Sequence, residues 1–173
     1  AARPPLPVVD DDPTGTQTVH GVGVRATWAA ADLEREFAAP QSCFYLLANT
    51  RALPEGEAVA RNLEIGANLK SARPSVVVSR SDSTLRGHFP AELEALAAGL
   101  GWDRPLVVLA PCFFDGGRVT ADGVHYVLGP PGPERAATRA GETEFARDAA
   151  FGYRRSRLAD WVEEKTAGRV PAG

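Results

Sequence analysis

The stretch LPVVDDDPTGTQT, Leu6 to Thr18, decides the architecture. Its first four residues, Leu6 to Val9, are apolar without a polar interruption, which reads as a short strand buried on both faces. The chain then runs straight into Asp10-Asp11-Asp12-Pro13-Thr14-Gly15, where every residue type favours a turn. Three carboxylates at a strand end repel one another and resist burial, so solvent, a magnesium ion, the hydroxyls of a ligand or nearby arginines must offset them. A solvated turn and a functional loop are both open at this point.

Working outward, the same punctuation recurs. Apolar runs at Cys43 to Ala48, Ser75 to Val78 and Pro105 to Ala110 read as further buried strands, each ending in a polar, glycine-bearing or proline-bearing loop. Between them, Trp28 to Phe37, Gly56 to Lys70 and Phe89 to Leu100 carry helical periodicity, the last opened by Pro90 and closed by Gly101. Alternating strands and helices, with strands apolar on both faces, predict an α/β fold: a three-layer, mainly parallel sheet with helices on both faces. Beyond residue 115 the pattern changes. Gly117 to Leu128 reads as a β-hairpin turning at Asp122-Gly123, and Gly129 to Glu134 as a connector. A last helix is expected with Ser156 as its N-cap, an apolar stripe of Leu158, Trp161 and Val162, and an end at Gly168.

Composition narrows the classes. With 173 residues, 44% hydrophobic and 24% charged, the chain fits one globular domain over 1–173. A net charge of -3 leaves no basic footprint for nucleic acid or an anionic membrane, and no apolar run approaches a membrane span. The opening AARPPLPVV lacks the order of a secretory signal, so the cytoplasm is expected. The absence of any methionine puts the natural start outside this sequence or implies processing. Cys43 and Cys112 have no zinc-clamping spacing and read as buried thiols, and His20, His88 and His125 show no metal spacing and read as structural or solvent-facing.

The chemistry gathers at strand ends. After the third strand come Ser79-Arg80-Ser81-Asp82-Ser83-Thr84-Leu85-Arg86-Gly87-His88, two arginines six apart with hydroxyls between them. Arginine presents a planar fork to a carboxylate, while Ser and Thr serve sugar hydroxyls as donor or acceptor. Asn49-Thr50-Arg51 and Pro111 to Arg118 follow the second and fourth strands. All four loops are expected on one sheet edge, where ligands bind in open α/β sheets.

These residues carry a resemblance. Asp11-Asp12-Pro13-Thr14-Gly15, Asp82-Ser83-Thr84-Leu85-Arg86-Gly87, Pro111 with Gly117-Arg118 and Asp122-Gly123, and Glu142 to Asp148 together resemble the N-terminal domain of the four-carbon acid sugar kinases. The resemblance implies a two-domain clamp in which this half holds a sugar acid of the threonate, erythronate or oxo-tetronate type. ATP and magnesium would be held by a C-terminal nucleotide-binding domain that this sequence lacks. Asp11 and Asp12 would then hold substrate hydroxyls and serve catalysis, one as base. Arg51, Ser79, Arg80, Asp82, Ser83 and Arg86 would hold the rest of the sugar acid, with an arginine on its carboxylate. No cofactor or metal ligand is expected within this chain. Its partners would be the small acid and the missing domain, and a homodimer stays open.

Two rivals compete. Val8-Val9-Asp10-Asp11-Asp12-Pro13-Thr14 also fits the strand and DxDxT of a haloacid-dehalogenase-like phosphohydrolase, with Asp10 as nucleophile; in the kinase reading Asp10 is dispensable. A non-catalytic sugar-acid-binding module is the other.

Overall fold

The computed structural model describes residues 4–133 and 135–173. Ala1 to Arg3, part of the opening judged against a signal peptide, and Glu134, the end of the expected connector, lie outside the described residues. The chain divides into two compact units. The first comprises Ala1–Ser81 and Ala91–Pro105, and the second Asp82–Pro90 and Leu106–Gly173.

The first unit is the α/β part. Its elements are β1 (Leu6–Asp10), β2 (Gly23–Arg25), α1 (Ala30–Ala38), β3 (Cys43–Leu47), α2 (Glu55–Leu69), β4 (Val78–Arg80) and α3 (Ala91–Leu100). The four strands form one parallel sheet in the order β2-β3-β1-β4. β1 lies between β3 and β4, which explains why Val8, Val9 and Asp10 are all buried. Parallel pairing sets Val9 beside Leu46, and on their face Val9, Phe44, Leu46 and Ala48 form a core with Leu33 of α1, Ile65 and Leu69 of α2, and Leu96 and Leu100 of α3. Tyr45 and Leu47, which alternate to the other face of β3, are half-buried. α2 and α3 approach closely because glycines face the crossing: a Cβ at Gly66 would stand 2.5 Å from the Leu96 carbonyl oxygen.

The second unit is built on a three-stranded antiparallel sheet of β5 (Arg118–Ala121), β6 (Val124–Leu128) and β7 (Ala137–Arg139), followed by α4 (Leu158–Lys165). The expected hairpin is present, and Asp122 and Gly123 take φ of 49° and 74° at its turn. Both left-handed values match the twist of a two-residue hairpin turn. A second core gathers Leu85, Ala140, Ala146, Tyr153 and Trp161, with Phe89, Leu109, Leu158 and Val162 packed against it.

Four local expectations are corrected. The run Pro105 to Ala110 is not a strand: Leu106, Val107 and Val108 are 92%, 55% and 78% exposed and enter no ladder. Apolar composition marks a segment suited to pairing, but a strand also needs a partner edge, which no local pattern contains. Cys112, just beyond this unpaired run, is exposed, and Cys43, at the start of β3, is only half-buried, rather than both buried. The third strand is Val78–Arg80 instead of Ser75 to Val78, because it follows the register of β1, with Val78, Ser79 and Arg80 opposite Val8, Val9 and Asp10. The last helix is preceded by Arg157 as its N-cap, since the Ser156 hydroxyl is engaged elsewhere, accepting from the Gly141 amide at 2.9 Å.

Candidate functional site

Two clusters contain the residues singled out in the sequence, one in each unit, because the chain passes from the first unit to the second between Ser81 and Asp82.

In the first unit, β1 delivers Asp10 into the interior. Its side chain is 2% exposed and accepts from Arg80 Nη1 at 3.2 Å. The turn packs so tightly upon this carboxylate that Gly15 has no room for a Cβ. Burial pushes the Asp10 pKa up, against the pull of the Arg80 guanidinium and the Asp12 amide. A nucleophile needs an open line to its substrate, and this carboxylate has arginine on one side and backbone on another.

Asp11, at 3% exposure, is gripped by Arg51 through two bonds, Nε to Oδ2 at 3.0 Å and Nη2 to Oδ1 at 2.6 Å. The Ser81 hydroxyl adds a third at 3.1 Å, and Arg80 Nη1 lies 3.8 Å from Oδ1. The Arg51 amide also donates to the Asp11 carbonyl at 3.1 Å. The loops after β1, β3 and β4 are thereby tied to one carboxylate. Asp12 is the accessible member of the triplet at 26% exposure. It caps the short helical turn Pro13–Thr16, accepting from the Thr14 amide at 2.8 Å and from the Thr14 hydroxyl, with Arg51 Nη1 at 3.5 Å. Partial burial raises its pKa, but the two Thr14 hydrogen bonds and the charges of Arg51 and Arg80 outweigh it and hold the carboxyl below its ordinary range. Ser79 sits inside β4 beside Val9.

In the second unit, the Asp82–Gly87 loop folds on itself. The Asp82 carboxylate accepts from the Thr84 hydroxyl and from Arg86 Nε at 2.7 Å, and the Leu85 amide donates to the Asp82 carbonyl at 3.1 Å. Arg86 Nη1 lies 3.6 Å from Asp148 Oδ2, and its guanidinium stands 5.2 Å from the centre of the Phe145 ring. Asp148 accepts from the Phe151 and Ala150 amides, which with Arg86 hold its pKa below the usual range against a smaller burial effect. From beneath, His125 meets the Ser83 carbonyl and Tyr153 the Thr84 carbonyl.

The sequence reading thus named Asp11, Asp12, Arg51 and Arg80 in one cluster and Asp82, Ser83 and Arg86 in the other; Ser79 stands in β4 beside Val9 with, among the described residues, no side-chain bond to the first cluster, and the reading missed the residues that support them. Phe145 and Asp148 lie in the stretch Glu142 to Asp148 that carried part of the resemblance, so a signal existed. For His125 and Tyr153 there was none, since lone buried polar residues leave no spacing pattern. Among the described residues, no group of three or more candidate ligands is arranged to hold a metal ion.

Residues 6–173 match the family of the sugar-binding N-terminal domain. The chain is 37% identical over 118 residues to the D-threonate kinase of Cupriavidus necator, covering 68% of this chain and 26% of that protein. Against the D-erythronate kinase of Heliobacterium modesticaldum it is 31% identical over 122 residues, covering 70% and 26%. It therefore spans about a quarter of the length of these curated relatives. The fold matches the crystal structure of a domain of unknown function from Bordetella bronchiseptica, a domain-swapped dimer with bound citrate, at a TM-score of 0.65, 24% identity, and coverage of 92% of this chain and 39% of that one. With the family matched along nearly all of its length and both kinases similar over two thirds of it, the chain belongs to the sugar-binding N-terminal domain of the four-carbon acid sugar kinases.

Proposed function

We propose that the protein carrying this chain is an ATP-dependent kinase of a four-carbon sugar acid of the threonate, erythronate or oxo-tetronate type, and that this chain binds the acid. The observation that carries the reading is the acidic turn after β1, where Asp11 is locked by Arg51 while Asp12 is left ionised and accessible. The names D-threonate kinase and D-erythronate kinase of the relatives support the substrate class.

In this reading Asp12 is the catalytic group and accepts from the attacked hydroxyl. A carboxylate with a depressed pKa is a weak base, so its work is to orient that hydroxyl and stabilise charge, taking the proton late in the loose transition state of phosphoryl transfer. Asp11 shares the hydroxyl-binding role through lone pairs left by Arg51, while Arg51, Ser79 and Arg80 supply donors. Asp82, Ser83 and Arg86, which lie in the second unit, are candidate substrate-binding residues by their chemistry, with arginine charge suited to an acid's carboxylate. Asp10 and Asp11 are already bound to arginines, so these residues do not fit a magnesium site; ATP and magnesium are assigned to a nucleotide-binding domain outside this chain. The phosphohydrolase alternative loses its support, because its nucleophile would be the enclosed Asp10. Among the described residues no helix is long and apolar enough to cross a membrane. A cytoplasmic location, where ATP is supplied, belongs to the proposal.

The test is an assay of ATP-dependent phosphorylation with D-threonate and D-erythronate, using the complete reading frame. Turnover of either acid is expected, with Asp12→Asn chiefly lowering kcat and Arg86→Lys chiefly raising KM, the latter by an amount equivalent to about 1–3 kcal/mol for a lost charge-assisted contact. Failure to phosphorylate any four-carbon acid overturns the reading.

A further inference from the structure

We propose that His125 and Tyr153 are positioning residues of the sugar-acid site, two buried side chains that hold the consecutive carbonyls of Ser83 and Thr84 and so set the Asp82–Gly87 loop. The proposal rests on the reading above, that this loop contacts the acid.

His125 is fully buried, and its Nε2 stands 2.7 Å from the Ser83 carbonyl oxygen. A carbonyl only accepts, so Nε2 carries the proton. Nδ1 lies 2.9 Å from Thr120 Oγ1, and the same hydroxyl lies 3.2 Å from the Pro111 carbonyl. One hydroxyl has one hydrogen. With a neutral ring, Thr120 donates to Nδ1, whereas a charged ring would donate to Thr120 and turn that hydrogen onto Pro111. Burial lowers the His125 pKa against the Ser83 hydrogen bond and the Asp82 charge, with Arg118 adding to the lowering, so the neutral form is the working one. Tyr153 donates to the Thr84 carbonyl at 2.6 Å from a ring that is itself part of the second core.

Two carbonyls drawn inward constrain what the loop presents. The Ser83–Thr84 peptide is trans, so with its carbonyl on His125 the Thr84 N–H points the opposite way. The loop also needs outside support: Leu85 takes a φ of 65°, the left-handed region that a leucine enters at a cost, and Gly87 one of 132°. His125 and Tyr153 come from 42 and 69 residues away to hold it.

The experiment compares His125→Asn, His125→Gln and Tyr153→Phe in the complete protein. A glutamine amide nitrogen reaches the place of Nε2, whereas an asparagine nitrogen reaches only that of Nδ1. KM for the four-carbon acid is expected to rise roughly three- to tenfold in His125→Asn and Tyr153→Phe, the range for one lost net hydrogen bond. Little change in kcat is expected, and His125→Gln should recover most of the affinity. Amide exchange at Leu85 and Gly87 should quicken in the first two variants and not in the third. Unchanged KM and unchanged exchange in folded Tyr153→Phe and His125→Asn would overturn the proposal. Should His125→Asn fail to fold, Tyr153→Phe decides alone, since it leaves the ring in its cluster. If the wild type phosphorylates no four-carbon acid, the functional reading fails, while the exchange measurement still decides whether the two side chains hold the loop.

Discussion

Asp11 and Arg51 show how one ion pair can tie the turn after β1 to the loop after β3. The guanidinium meets both carboxylate oxygens, and the two side chains are 17% and 3% exposed for Arg51 and Asp11. Two charges removed from water in this way gain little over an apolar pair, but removing one leaves the other uncompensated. Arg51→Ala is therefore expected to destabilise the first unit by about 3 kcal/mol, whereas the double variant Arg51→Met, Asp11→Leu should lose distinctly less. Denaturant titrations of the single and double variants measure the coupling. Additive losses would show that the pair does not act as a unit.

Among the elements, the crossing of α2 and α3 is the most constrained. Gly66 and Gly99 face it, and a Cβ on either would run into the backbone of the other helix. Gly56, in the first turn of α2, has nothing within 4 Å. Alanine is favoured over glycine in a helix by roughly 1 kcal/mol, so Gly56→Ala should raise the melting temperature slightly. Gly99→Ala should lower stability by about 1–3 kcal/mol despite the same propensity gain, because the close-packed core cannot yield to the added methyl. Calorimetry of the two variants side by side separates propensity from packing. Equal shifts of the same sign would contradict the crossing described.

For the whole molecule, two consequences follow from what the chain contains. In the proposed kinase this chain holds the acid and another domain the donor, so the isolated 173-residue chain is expected to bind a four-carbon acid weakly and to transfer no phosphoryl group from ATP. Phosphorylation by the purified chain would contradict this. Stability should also fall on the acid side through His125. Its folded pKa is lowered, so the unfolded chain takes up the proton first; the stabilisation is full above the ordinary value of about 6.5 and is lost as pH falls from there through the folded value. Asp12 and Asp148, also lowered, add a second loss below about pH 4, where carboxylates protonate first in the unfolded chain. Unfolding free energies of the wild type and His125→Gln across this range should differ in slope near the upper step and agree at the lower.

The parallel sheet apart from its edge strand Gly23–Arg25, its three helices and the Asp122-Gly123 hairpin were legible in the sequence because each is written in local terms: apolar period, proline and glycine punctuation, and the left-handed pair that a tight hairpin requires. The acidic turn and the Asp82–Gly87 loop stood out in the sequence for the same reason, with their charged and hydroxyl-bearing residues adjacent in the chain. Tertiary structure alone decided that Asp10 is enclosed, that Asp11 is gripped by Arg51 while Asp12 is left accessible, and that Pro105 to Ala110 pairs with no strand. It also brought His125 and Tyr153 beneath Ser83 and Thr84. Those outcomes depend on partners 40 to 70 residues away. A carboxylate's environment and a strand's neighbour are properties of what the fold brings near, and adjacency along the chain does not encode them.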